Sequence, residues 1–198
     1  MKKYLLLLFF LALTLVISSI VLGLLLSLKK GIDSKENNLL ETENLKLELY
    51  SKELLQESVL NNGLNVNLSE IECFNENNKT TIDVEKPKLV YYYSALNCSS
   101  CVEFGENKLK DHFSDYENNN NLLFVISDYP GDKQVAYMNC FNLRKNYLKI
   151  PIEQANLPFY FLLINNQIEH MFIPDKAFPE YTDTYLQEIK KRYFTDNR

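Results

Sequence analysis

Two cysteines three positions apart carry the clearest chemical signal in this chain of 198 residues. Cys98-Ser99-Ser100-Cys101 follows the β-forming run Lys88 to Ser94 and precedes Val102, Phe104, Leu109 and Phe113 at helical spacing. The pair therefore sits where a strand hands over to a helix. There the first thiol lies near free backbone N–H groups and the positive end of the helix dipole, which stabilise a thiolate. The second thiol, one turn on, is placed to attack a mixed disulfide made by the first. The expected chemistry is thiol–disulfide exchange, with Cys98 attacking and Cys101 resolving. A C-x-x-C alone also serves zinc sites, so the strand-to-helix position is what favours exchange.

The elements around the pair follow from patterning. Residues 66–72 and 80–84 read as two short strands around a turn at Asn75 to Asn78. Leu122 to Ser127 is a continuous apolar run, as for a strand buried on both faces. Val135, Met138, Phe141, Leu143 and Leu148 mark a second helix. Phe159 to Ile164, the two-residue turn Asn165-Asn166 and Gln167 to Ile173 form a hairpin. Pro174 to Pro179 is a break, and Tyr181 to Phe194 closes the chain as an amphipathic helix. Strand-helix-strand units imply a parallel core, and the hairpin adds an antiparallel edge.

Ahead of this lies an apolar run from Tyr4 to Leu28, flanked by Lys2 and Lys3 on one side and Lys29 and Lys30 on the other. As a helix it would rise about 37 Å, enough for a hydrocarbon core of about 30 Å. It is longer than a signal-peptide core and lacks a small-residue cleavage site. The expectation is an uncleaved anchor over residues 1–30, with the bulk of the chain outside the cytoplasm. Residues 31–63 read as a helical stalk: Leu40, Leu47 and Leu54 are seven apart, Ser34 with Asn37 and Asn38 could open it, and Asn61-Asn62-Gly63 stops it. The stalk either packs on its own domain or pairs with a second copy as a short coiled coil. Beyond residue 30 the chain holds 17 basic and 26 acidic residues, a net charge of −9. Such a domain lacks the clustered Lys and Arg that bind nucleic acid.

The strand Leu89-Val90-Tyr91-Tyr92-Tyr93, the Cys98–Cys101 motif and the Leu157-Pro158 step before the hairpin resemble the thioredoxin fold. With the anchor and the leading hairpin, the chain is similar to the membrane-tethered bacterial thioredoxin-like proteins of the TlpA/ResA type. The resemblance covers about residues 64–198. It implies an α/β thioredoxin-like domain over 64–198, a central mixed sheet flanked by helices, behind the transmembrane helix and stalk. In that family a cis proline before the third core strand faces the Cys pair and presents backbone to the thiol partner. Pro158, 57 residues after Cys101, matches it and with Leu157 is the implied substrate-binding step.

The chain departs from the family at three places. Asn97 stands where Trp precedes the first Cys, Ser99-Ser100 replaces a Pro-containing pair, and Tyr92 takes the place of a buried acid six residues before Cys98. Tyrosine, with an ordinary pKa of about 10, is a poor base. Ser99 and Ser100 also bring no positive charge to Cys98. The resemblance thus implies a narrow, reductase-like oxidoreductase at the inner (cytoplasmic) membrane, single-pass, with its domain in the periplasm. Its partners would be a disulfide- or thiol-containing extracytoplasmic protein and a membrane electron donor, with no metal or organic cofactor. Two alternatives stand beside it. The missing Trp and acid suit a non-enzymatic binding module with a static disulfide. His112 or His170 could join Cys98 and Cys101 in copper delivery. Cys140 reads as a buried thiol on the second helix, and a disulfide to Cys73 stays open.

Overall fold

The computed structural model describes residues 2–66, 68, 86–116, 119–129, 140–143 and 145–195, with the side chains of 2–13 and 16 left aside. The chain divides into two compact units, Met1–Tyr50 and Ser51–Arg198. Helix α1 runs Lys2–Asn61. The break expected near Ser34 is absent: Gly31, Ser34, Asn37 and Asn38 are all helical. Each costs a helix at most about 1 kcal/mol, which the flanking leucines and lysines outweigh. In the first unit the apolar side chains Leu15, Ile20, Leu24 and Leu28 are exposed. Among the described residues no helix is long and apolar enough to cross a membrane. Much of the apolar run lies in the side chains left aside.

In the second unit α1 stops where the sequence predicts. Gly63 takes φ +80°, a conformation that suits glycine. The stop also ties the helix to the sheet domain. Asn61 Oδ1 accepts from the Ile152 N–H at 3.2 Å and Asn62 Oδ1 from the Met171 N–H at 3.0 Å. Leu54 packs against the core, so this heptad position serves the chain's own domain.

The remaining strands and α-helices are β1 Lys88–Ser94, α2 Ser99–His112, β2 Leu122–Ser127, β3 Cys140–Asn142, β4 Phe159–Ile164, β5 Gln167–Phe172 and α3 Pro179–Ile189, which a π-helical turn extends over Lys190–Phe194. They build a five-stranded mixed sheet in the order β3-β2-β1-β4-β5, flanked by helices. Strand β1 is central, parallel to β2 and antiparallel to β4. Every residue of β1 and β2 is buried, as expected of strands covered on both faces. Alternation splits β1 between two cores. Tyr91 and Tyr93 join Leu109, Phe113 and Leu186 from the helices, whereas Val90 and Tyr92 join Phe141, Phe159 and Met171 on the other face. The hairpin turn has Asn165 and Asn166 both at positive φ (51° and 64°), the geometry that fits strand twist. The edge of β5 is covered: Gly63 and Val66 donate to Ile168 and Asn166.

A second element also differs from expectation. Cys140–Asn142 is a strand parallel to β2, not part of a second helix. Phe141 and Leu143 face one core and Cys140 the other, a period of two that a short apolar run also permits. Cys140 is buried there. Residues 130–139, Cys73 and the leading hairpin with its Asn75–Asn78 turn, apart from the buried Val66 and Leu68, lie outside the described residues.

Candidate active site

The site forms at the C-terminal end of β1. Ser94 and Asn97 close a tight turn: Asn97 Oδ1 accepts from the Ser94 N–H at 2.7 Å, and the Asn97 N–H donates to the Ser94 carbonyl at 3.0 Å. Asn97 therefore builds the bend that delivers Cys98. The Cys98 carbonyl then accepts from the N–H groups of Cys101 and Val102, so Cys98 is the N-cap of α2.

Helix α2 is pinned from beneath by two tyrosines. Tyr91 Oη donates to the Val102 carbonyl at 2.9 Å, and Tyr160 Oη to the Gly105 carbonyl at 2.7 Å. Burial pushes both hydroxyls far above their ordinary range, so they remain donors. The approach is close enough to require glycine at 105. A Cβ there would stand 2.3 Å from Tyr91 Oη.

The two thiols ionise differently. Cys98 is exposed. Hydrogen bonds from Cys101 and from Ser100, whose Oγ lies 3.2 Å from Cys98 Sγ, bring its thiol down to about 7, and the Lys176 ammonium adds to this. Cys101 is half-buried; desolvation, then its hydrogen bond to Cys98 and the charge of Cys98, push its thiol up. Lys176 works against that rise and Asp175 with it. The two serines of the motif carry no charge themselves; the cation beside Cys98 comes from Lys176. Lys176 arrives on the loop between β5 and α3, far along the chain. The sequence marks that loop only as Pro-flanked, with no sign of where it returns.

Pro158 is buried and directly precedes Phe159, which pairs with Tyr92 near the end of β1. The step thus lies at the same end of the sheet as Cys98. Leu157 is half-buried and packs on the core beside it. The bond before Pro158 is trans, since the described residues contain no cis peptide. The expected cis bond is not needed to turn the chain. Asn156, left-handed at φ 53°, already turns it after the 3₁₀ segment Pro151–Ala155.

Other candidates fall away from the dithiol. Tyr92 Oη shares a buried hydrogen bond of 2.8 Å with Ser127 Oγ and stacks on Phe159. Burial raises its hydroxyl, so it is no base. His112 Nε2 lies 3.0 Å from Asp183 Oδ1, and His170 Nε2 lies 2.8 Å from Tyr193 Oη. Neither imidazole is bonded to the Cys pair. Among the described residues no group of three or more His, Cys, Asp and Glu gathers to hold a metal.

No family model and no curated protein matches the chain. Solved structures do. An exposed lipoprotein thioredoxin of Streptococcus pneumoniae is similar at 16% identity and a TM-score of 0.34, covering 55% of this chain and 86% of its own. An uncharacterized thioredoxin-like protein of Porphyromonas gingivalis is similar at 13% identity and a TM-score of 0.36, covering 55% and 78%.

Proposed function

We propose that the chain is a membrane-tethered, thioredoxin-like thiol–disulfide oxidoreductase that works outside the cytoplasm as a dithiol reductase of a narrow set of proteins. The observation that carries this is the unequal pair at the start of α2. Cys98 is exposed and lowered to about 7, and Cys101 one turn on is raised. A value near 7 is that of thioredoxin's attacking thiol, far above the roughly 3.5 of a strong oxidant.

The Cys98 thiolate attacks one sulfur of a substrate disulfide. A Cys98–substrate disulfide forms and the other substrate sulfur leaves as a thiolate, which takes a proton. Cys101 then loses its proton and attacks Cys98 Sγ, forming Cys98–Cys101 and releasing the second substrate thiol. Two electrons pass to the substrate, and a membrane dithiol donor must return them. The peptide backbone at Leu157-Pro158 is the proposed docking edge for the substrate chain.

The anchor reading is supported by the apolar run Tyr4 to Leu28 with lysines at both ends and by the exposed leucines of the first unit. Pairing of two copies through Leu39, Leu40 and Leu45, all exposed, is the proposed role of the stalk.

The test is the reduction potential of the pair in the full chain in detergent, by glutathione equilibration, acid quench and mass counting. A reversible couple near −270 mV is expected. A pair that stays locked below about −300 mV would instead support a static binding module. Exchange that is unchanged in Cys98→Ser would refute the assignment outright.

A further inference from the structure

We infer that Lys176 and Ser100 form a one-way hydrogen-bond relay that holds a donor on Cys98, making both of them positioning residues for the attacking thiolate. The inference rests on the reading above and names how that site is tuned. The geometry has a direction because of what each group can do. An ammonium has three donors and no acceptor. Lys176 Nζ lies 2.5 Å from Ser100 Oγ, so the serine oxygen accepts there. The serine has a single O–H, and that proton is left to point elsewhere. Cys98 Sγ is 3.2 Å from the same oxygen. A thiolate accepts only, so the Ser100 O–H points at a group that gains from it in its charged form and gains less when it is a thiol.

The lysine is placed by its own loop. The Ala177 N–H donates to Asp175 Oδ1 at 2.8 Å and the Phe178 N–H to the Asp175 carbonyl at 3.2 Å, between Pro174 and Pro179. Asp175 therefore shapes the turn that presents Lys176. The groups acting on the Cys98 thiol come from two segments: Cys101 and Ser100 on α2, and Lys176 on this loop. Lys176 could also act by charge alone, through space. The relay differs from that in one respect: without the Ser100 hydroxyl the lysine loses its route.

The experiment is the rate of Cys98 alkylation by iodoacetamide against pH, read on the Cys98 peptide by mass spectrometry, in the fully reduced full chain. The variants are Lys176→Met, Lys176→Arg, Ser100→Ala and Lys176→Met with Ser100→Ala. The wild-type midpoint is expected near 7. Lys176→Met and Ser100→Ala should each raise it, the double variant no further than Ser100→Ala, and Lys176→Arg should keep it. For a rise of about one pH unit, the thiolate fraction at pH 7 falls roughly fivefold. Its nucleophilicity rises about threefold by the Brønsted slope of 0.4–0.5, so the rate at pH 7 drops about twofold. Above pH 9 the variant should overtake the wild type by about threefold. A crossing of that kind does not arise from misfolding. A Lys176→Met shift of equal size in the Ser100→Ala background, or no shift at all, overturns the relay while leaving the dithiol assignment standing. A wild-type midpoint at the ordinary thiol value of about 8.5 overturns both.

Discussion

Replacing Gly105 by alanine sets two effects against each other. Alanine is the better helix former, by about 1 kcal/mol. Against that, its Cβ would meet Tyr91 Oη at 2.3 Å and Tyr91 Cζ at 2.6 Å. The ring cannot swing away freely, because it is buried in the core and packs on Tyr160 with centroids 4.8 Å apart. Overpacking of this sort costs about 1–3 kcal/mol. Moving α2 outward would also part Tyr91 Oη from the Val102 carbonyl and leave a buried hydroxyl unpaired, at about 1–3 kcal/mol. The net expectation is a loss of about 1–5 kcal/mol, centred near 3. Urea unfolding followed by tyrosine near-UV circular dichroism reads it, since the chain has no Trp. With a slope of about 1–3 kcal/mol per molar, a loss of about 3 kcal/mol should lower the midpoint by about 1–3 M. Adding Tyr91→Phe should recover part of the loss by removing the nearest atom. A midpoint that rises in Gly105→Ala would show that helix propensity wins, and would refute the claim that the tyrosine layer fixes the height of α2.

Two further outcomes follow from the same contacts. Tyr92→Phe should cost about 1–3 kcal/mol, because Ser127 loses its buried partner, while the alkylation midpoint of Cys98 stays put; a moved midpoint would place that hydroxyl in the dithiol's proton chemistry. Burial opposes ionisation of Asp183, but hydrogen bonds from Lys108 and His112 prevail and hold its carboxyl below the usual range. Its contribution is therefore present above the unfolded value of about 3.9 and lost as the pH falls through the lower folded value. With the Asp183 side chain 41% exposed, the stability difference between wild type and Asp183→Asn should be only about 0.2–1 kcal/mol at pH 7, vanishing near pH 2. A difference that persists in acid would contradict this account.

How much of this was legible in the residues depends on whether the cause was local. The Asn165-Asn166 turn and the Asn61-Asn62-Gly63 stop were readable because each encodes its own backbone geometry. So was the strand-to-helix position of Cys98, set by β-formers on one side and helical spacing on the other. Cys140–Asn142 was misread because Phe141 and Leu143 fit a helix stripe and a buried strand alike, and only pairing with β2 decides between them. The helix-opening signal at Ser34, Asn37 and Asn38 was overridden because polar residues interrupt a long helix too weakly to end it. Lys176 could not have been found: its effect depends on the β5-to-α3 loop returning beside α2, a tertiary fact with no local trace.

The pair Cys98 and Cys101 also contains its own order of events. Two of the influences that raise the Cys101 thiol come from Cys98 itself, through its hydrogen bond and its charge. Both depend on Cys98 being a thiolate. On the proposed pathway they vanish when Cys98 enters a mixed disulfide, because the sulfur then carries no charge. Burial of Cys101 remains, and so does the opposing pull of Lys176. The resolving thiol is thus held protonated while the attacking thiol waits, and becomes easier to ionise once the first bond has formed. Lys176 is suited to both stages, since it lies near enough to favour either sulfur as an anion. On the proposed pathway the coupling between the two thiols thus orders the exchange, with Cys98 ionised first and Cys101 second.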